Sequence, residues 1–367
     1  MNSNTLPHPA ARFQSAVALA LLGVAAAIIG GLGWLDRNQA VAAWLDRKSL
    51  ESCRQTRSIH YHLEYHHTPE ELWLFHLSEM DFSKGGVYFL GPSAVSQSTE
   101  LWQLPPDLQG LIHNFGVSTA NWKGELALLQ FLIEKKGLLA AGGEKNLVVL
   151  GTTYLNVWFP PNSFPDSYTN ALQIHGLFSC DLQHGIQEVP VNPISKFIDF
   201  EESRETGFII SLRDVLSHQI SRWKHHGVEP QRVYQPELYM KYRNECMGPD
   251  WQKEIDEAMP ELRQLIDYLQ ARHVAVRLVI MPYGSWEKKL PYEDVYTRET
   301  LAVCAEKHVA VSDWSNLLTD DEFADSTHAN LYGVDKTQPA LMDIALPFLR
   351  STHALPETPP AREPSAK

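Results

Sequence analysis

Basic residues are in short supply in this chain. Its 367 residues carry 31 Lys and Arg against 44 Asp and Glu, a formal net charge of -13. No stripe of Lys or Arg interrupts that acidic balance, and an acidic surface repels phosphate backbones, so nucleic-acid binding is excluded as the function. Cysteine is scarce too. The four present, Cys53, Cys180, Cys246 and Cys304, lack the spacing of a zinc site. They permit two disulfides, with Cys180 and Cys246 a candidate pair in an oxidising compartment, or they stay separate thiols. The absence of any internal repeat excludes a solenoid or propeller. His60, His62, Glu64 and His66 alternate onto one strand face. Three ligands so close in one strand rarely converge on one ion, so they read as a solvated or packed face, with no metal and no cofactor expected.

What the chain does have is a core's worth of apolar residues: 44% hydrophobic against 20% charged, enough for one large α/β domain or two small ones. One run stands apart. Ser15 to Leu35 contains no charged residue, and about 20 helical residues span a bilayer core of about 30 Å. Trp34 sits at its end, where an interfacial aromatic is expected. A cleavable signal peptide is the rival reading. Its apolar stretch is usually shorter, and Ala25-Ala26-Ala27 lies mid-run, so an uncleaved transmembrane anchor is expected over 15–35, contacting a lipid bilayer. Counting Lys and Arg on its flanks places the following domain inside the cell, but a long domain translocates whatever that count.

The rest divides by rhythm. Residues 1–14 form a tail and 36–84 a connector, helical through AVAAWLDRKSLESC and strand-like through SIHYHLEYHH. From 85 to 350 strands alternate with helices. Strands are expected at Gly86–Leu90, Gly110–Phe115, Asn146–Leu150, Val274–Met281 and Val309–Asp313. Helices are expected at Trp122–Leu139, Pro249–His273, Tyr292–His308 and Leu331–Arg350. That alternation predicts an α/β fold, three layers (αβα) around a central parallel sheet of flavodoxin-like type. Residues 152–245 break the rhythm with Pro- and aromatic-rich stretches and read as an insertion, with some helix around Ser211–Trp223. The Pro-rich tail 351–367 is expected to be disordered.

Ligands of open α/β sheets bind outside the carboxyl ends of the strands. There the sequence places Gly91-Pro92-Ser93, then Asn114-Phe115-Gly116, then Gly151-Thr152-Thr153, and late in the chain Asp325-Ser326-Thr327-His328. A serine hydroxyl needs an imidazole to take its proton, and the imidazole needs a carboxylate to fix its tautomer. Ser93, His328 and Asp325 can fill those roles as catalytic residues. Ser96 and Ser98 are rival serines, and Asp313, Asp320 and Asp321 rival carboxylates. An oxyanion would be met by backbone N–H groups, with those of Ser93 and Gly116 the natural candidates.

The order Gly-x-Ser, Asn-x-Gly, a Gly-led third block and a late Asp-x-x-His resembles the SGNH/GDSL hydrolase family. Its best matches are FLGPSAVSQST (89–99), NFGVSTA (114–120) and DEFADSTHANLYG (321–333). The third block departs: the family has Gly-x-Asn-Asp there, its Asn completing the oxyanion hole, and this chain has Thr153 instead, with Asn156 three residues on. With the N-terminal anchor, the degenerate block resembles two membrane-anchored subgroups, the exopolysaccharide O-acyltransferases and the D-alanyl transfer proteins. That resemblance implies a serine acyltransferase in the bacterial inner membrane, its domain periplasmic or extracellular. It would acylate, most simply O-acetylate, a polysaccharide and take its acyl group from a membrane-bound O-acyltransferase partner. Ester hydrolysis and a catalytically silent accessory role are the alternatives. Trp158, Phe159, Phe164 and Tyr168 either stack on sugar or pack the insertion.

Overall fold

The computed structural model describes residues 38–58, 77, 80–99, 104–117, 120–157, 178–181, 185–190, 192–227 and 235–353, with scattered helical positions between 17 and 37. Strands β1 (Gly86–Leu90), β2 (Ile112–Asn114) and β3 (Asn146–Thr152) come first in the chain, then β4 (Phe178–Asp181) and β5 (Gly185–Glu188), then β6 (Ala275–Ile280) and β7 (Ala310–Asp313). Five of them form one parallel sheet in the order β2-β1-β3-β6-β7, while β4 and β5 make a separate antiparallel pair. Every residue of β1 and β3 is buried. That is why both read as unbroken apolar runs: a parallel strand covered on both faces has no polar side to alternate with.

Strand pleating divides the core in two. Tyr88, Leu90, Val148, Leu150, Leu278 and Ile280 join one apolar cluster, and Val87, Phe89, Leu147, Val149, Val279 and Met281 the other. Helices α1 (Gln39–Thr56), α2 (Trp122–Glu134), α3 (Pro193–Lys224), α4 (Pro236–Met247), α5 (Trp251–Gln270), α6 (Pro291–Glu306) and α7 (Leu331–Thr352) flank it. Buried faces of α2, α5 and α6 fill the first cluster, and α7 the second. The three-layer αβα expectation therefore holds around a five-stranded parallel sheet. Counting only its own strands, the sheet order is 2-1-3-4-5, which reverses between β1 and β3. That reversal opens a crevice at the carboxyl ends of those two strands.

The stretch expected to be irregular is more ordered than its prolines promised. Helix α3 begins at Pro193, with the Asn192 side chain accepting from the Ile194 N–H at 2.9 Å, and α4 begins at Pro236. Proline at the first helical position removes an N–H that has no partner anyway, so these prolines start helices rather than break them. Ile186 of the hairpin is buried in the main core. In the connector, the stretch expected to be helical is α1. Asn38 caps α1, and α1 runs alongside α3 with Leu45, Phe208 and Val215 packed between them and His218 hydrogen-bonded to Gln55 at 2.8 Å. Cys246 is a free thiol, and the side chain of Cys180, its candidate partner, lies outside the described residues.

Several expectations fall outside the described residues: the histidines at 60–67, the aromatics at 158–168, the tail from 354, and most of the run 15–35. Its described positions, Val17, Leu21 and Val24 among them, are helical. Among the described residues no helix is long and apolar enough to cross a membrane.

On β2, His113 stacks on Tyr88 at 5.3 Å between ring centroids and on Phe115 at 5.9 Å. Burial pushes its imidazole down to about 4, against the opposing pull of a hydrogen bond to the Gly110 backbone. The unfolded chain takes up this proton near pH 6.5 and the folded one only near 4. Stability is therefore expected to fall as pH drops from 6.5 to 4, by at most about 3 kcal/mol from this group, and to level off below. Urea unfolding of wild type and His113→Phe across that window checks it. The variant keeps the stack and should lose this part of the slope; equal slopes would rule the account out.

Candidate active site

β1 delivers Ser93 through a turn with no spare room. Gly91 has φ of +149°, and a Cβ there would lie 2.4 Å from the Gly151 carbonyl oxygen and 2.5 Å from the Val95 side chain. Gly151, on neighbouring β3, would in turn drive a Cβ to 2.3 Å from Val95. Two glycines facing each other across the sheet's reversal thus let the turn settle between strand ends. Pro92 follows as the N-cap and Ser93 opens a single helical turn, Ser93–Ser96. Pro92 costs nothing here, since its nitrogen precedes the helix.

Asn114, at the end of β2, ties this turn down. Its side-chain amide donates to the Val95 carbonyl at 3.0 Å and to Thr99 Oγ1 at 2.7 Å, while its Oδ1 accepts from the Gly116 N–H at 2.9 Å. Gly116 is needed for contact: a Cβ there would sit 2.5 Å from the Ser96 nitrogen.

The partner residues arrive from the far end of the chain. Asp325 Oδ1 accepts from the N–H groups of Thr327 and His328 at 2.8 and 2.9 Å, folding the segment into a tight turn. Its Oδ2 meets His328 Nδ1 at 2.7 Å. Asn330 closes the turn from behind. Its Nδ2 donates to the carbonyls of Asp321 and Phe323, and its Oδ1 caps α7 through Tyr332 and Gly333. Thr337 on α7 donates to the Ser98 carbonyl at 2.6 Å, joining that helix to the end of the serine turn. With both turns so fixed, His328 Nε2 lies 2.7 Å from Ser93 Oγ, across 235 residues of sequence.

This chain of contacts sets the tautomer. With Asp325 ionised, Nδ1 carries the proton and Nε2 is left to accept from the Ser93 hydroxyl. Burial works to raise the Asp325 carboxyl, but the hydrogen bond and charge of His328 and the two backbone N–H groups outweigh it and hold the group at about 2. The carboxylate is thus charged at any pH above that value. Side-chain exposure is 23% for His328 and 45% for Asp325, so solvent reaches the pair.

Of the expected oxyanion donors, the structure supplies less. The Gly116 N–H is held by Asn114 Oδ1. The Thr153 N–H is held by Asn156 Oδ1 at 2.9 Å, and Thr153 Oγ1 accepts from the Leu155 N–H. Asn156 is fully buried, and its Nδ2 donates to Glu125 Oε1 at 3.2 Å. Asn156 therefore faces the interior rather than the oxyanion hole expected of it. Thr153 and Asn156 together fix the start of the helical turn Tyr154–Val157: Thr153 Oγ1 accepts from inside the turn and Asn156 Oδ1 reaches back to the Thr153 N–H. Burial raises the Glu125 carboxyl well above its ordinary range. The Ser93 N–H, first in its helical turn, has no hydrogen-bond partner among the described residues.

Two side chains near the turn carried no signal in the sequence. Arg243 of α4 reaches Ser326 and Thr327, and Glu287 pairs with Arg243. Their partners lie 83 and 44 residues away along the chain, so no local pattern marks them.

Replacing Gly91 by Ala forces a Cβ into backbone atoms of β3 at a φ that L-residues rarely adopt. The expected loss is at least about 2 kcal/mol, read as a lower unfolding midpoint by denaturant titration. An unchanged midpoint would mean that the turn has room to shift.

No protein-family model and no curated protein matches the chain. Among solved structures it is similar to a crystal structure from Bacteroides fragilis, described as a "putative acylhydrolase", with 11% identity and a TM-score of 0.36. That likeness covers 75% of this chain and 93% of the other. At this identity and score it carries no argument about chemistry, and the functional reading rests on the geometry of Ser93, His328 and Asp325.

Proposed function

We propose that this chain is an SGNH-type serine enzyme that forms or breaks ester bonds, with Ser93 as nucleophile, His328 as general base and acid, and Asp325 orienting the imidazole. The observation that carries the reading is the continuous relay from Ser93 Oγ to His328 Nε2 and, through the ring, from His328 Nδ1 to Asp325 Oδ2, both hydrogen bonds 2.7 Å long. In the first half-reaction Ser93 Oγ attacks an acyl carbonyl and His328 Nε2 takes the hydroxyl proton. The tetrahedral oxyanion is met by the Ser93 N–H, with the Thr153 hydroxyl assigned as the second donor. Collapse expels the leaving alcohol, which takes its proton from His328, and leaves an acyl-Ser93 ester. In the second half-reaction an acceptor hydroxyl gives its proton to His328, attacks that ester and regenerates Ser93.

The finer reading is transfer to a polysaccharide hydroxyl, most simply O-acetylation, by a protein anchored in a bacterial inner membrane through residues 15–35. A membrane-bound O-acyltransferase would present the acyl group. What supports transfer is the thin donor set: Asn156 is committed to a buried turn, and a missing donor slows turnover by about 10²–10³. Such a site suits an acceptor held in place more than free water. Ester hydrolysis is the second reading, favoured by the solvent exposure of Asp325 and His328.

A fluorophosphonate probe is expected to label the wild-type chain and to leave Ser93→Ala unlabelled, with Asp325→Asn slowed by about 10²–10⁴ as the imidazole loses its orienting partner. Equal labelling of Ser93→Ala would remove Ser93 from the mechanism. With a chromogenic acetyl ester, acetylated oligosaccharide is the expected product when an acceptor glycan is added. Free acetate alone, whatever the acceptor, would place the chain among hydrolases. Full-length chain should stay with the membrane fraction through an alkaline carbonate wash, whereas release into the supernatant would refute the anchor.

A further inference from the structure

Helix α4 lies in the stretch that interrupts the strand–helix rhythm, yet it sends one side chain to the middle of the Asp–His turn. Arg243 and Glu287 are a buried ion pair, their side chains only 5% and 4% exposed, with Arg243 Nε donating to Glu287 Oε1 at 2.8 Å. The guanidinium also reaches the turn. Its NH2 group donates to Ser326 Oγ at 3.2 Å and to Thr327 Oγ1. Those are the two residues between Asp325 and His328. A second, apolar contact ties the same parts together. Tyr239, one turn before Arg243 on α4, packs on Trp286, and Trp286 packs edge-on to Phe323, which opens the turn.

We propose that Arg243 is a positioning residue for the Ser93–His328–Asp325 relay, holding the turn between Asp325 and His328 at the height that sets Nε2 against Ser93 Oγ. This rests on the serine-nucleophile reading above. The physical argument is one of rigidity. Asp325 Oδ1 fixes the turn's own backbone, and Asn330 fixes its exit into α7, but neither holds the two side chains at its tip. A planar guanidinium can do so through NH2 while its Nε is anchored by a carboxylate, because its donors are set in a fixed fork. Lysine offers a single point charge and no second edge. Glu287 then has a defined task, since a buried guanidinium without a counter-charge would not remain in place. An arrangement of this kind acts on the reacting atoms only through His328, and a shift of about 1 Å in such a group costs up to about 10²-fold in rate.

The test is the kinetics of fluorophosphonate labelling of the full-length chain, resolved into a limiting rate and a half-saturating probe concentration. Ser326→Ala combined with Thr327→Val removes both acceptors of the Arg243 NH2 group and leaves the ion pair intact. Arg243→Lys keeps the charge opposite Glu287 and removes the fork; should that variant fail to fold, the Ser326/Thr327 pair still gives the answer. The expected result is a thermal midpoint close to wild type and a limiting rate lower by about 10- to 100-fold, with the half-saturating concentration unchanged. A limiting rate equal to wild type in the folded variant overturns the proposal, and so does a change confined to half-saturation. Failure of the wild-type chain to label at Ser93 overturns both this inference and the reading it rests on. Loss of this inference alone leaves wild-type labelling intact.

Discussion

The hydrogen bond between Ser93 Oγ and His328 Nε2 is the contact on which the rest of the molecule's design converges. Its two atoms belong to residues 235 apart in sequence and meet at 2.7 Å. Neither segment can hold that position alone. The serine turn is pressed between the ends of β1 and β3, where Gly91 and Gly151 allow strands and turn to touch. The histidine turn is fixed by Asp325 and Asn330 and then continued as α7, which packs on one face of the sheet and bonds back to Ser98 through Thr337. Sheet order does the remaining work, because reversal between β1 and β3 leaves a crevice there and nowhere else in the five strands.

Around that contact the structure separates polar groups that act outward from those that act inward. Asp325 and His328 face solvent in part. On the inner side of the third strand end, Thr152, Asn156, Glu125 and Tyr296 form a buried cluster linked by hydrogen bonds. Asn156 belongs to this second group. A buried carboxamide needs partners at both its poles, and here the Thr153 N–H and the Glu125 carboxyl supply them, with no part of the side chain open to solvent. Thr153 and Asn156 both follow the end of β3 within a few residues, and spacing alone does not tell which of them faces inward.

The helices on either side of the serine and histidine turns are coupled to them by charge. Arg54 and Arg57, at the end of α1, pair with Asp335 and Asp321 and lie over the Tyr332 ring. From the other direction α4 contributes Arg243. The surface pairs are half exposed and add little to stability. Their effect is geometric, since they fix how α1 meets the segment that carries Asp325 and His328.

Much of this was legible in the sequence where the governing physics is local. GVYFL between two glycines is a strand with the boundaries found, Gly86–Leu90, because an apolar run that short and that bounded fits little else. The alternation of strands with amphipathic helices determined the parallel three-layer fold, since parallel strands require crossovers that cover both faces. Asp-x-x-His determined its own turn, because a carboxylate three residues before a histidine can bond that residue's N–H and ring together. Three things were decided only by tertiary structure. Pro193 and Pro236 begin helices, and a proline that starts a helix looks in sequence like one that ends it. Asn156 faces inward, which depends on Glu125 lying 31 residues away. Arg243 reaches Ser326 and Thr327 because α4 folds back over the turn, a contact set by packing across 83 and 84 residues. Local patterns record what neighbouring residues do to one another; which distant side chain fills the space between two turns is settled when the layers close.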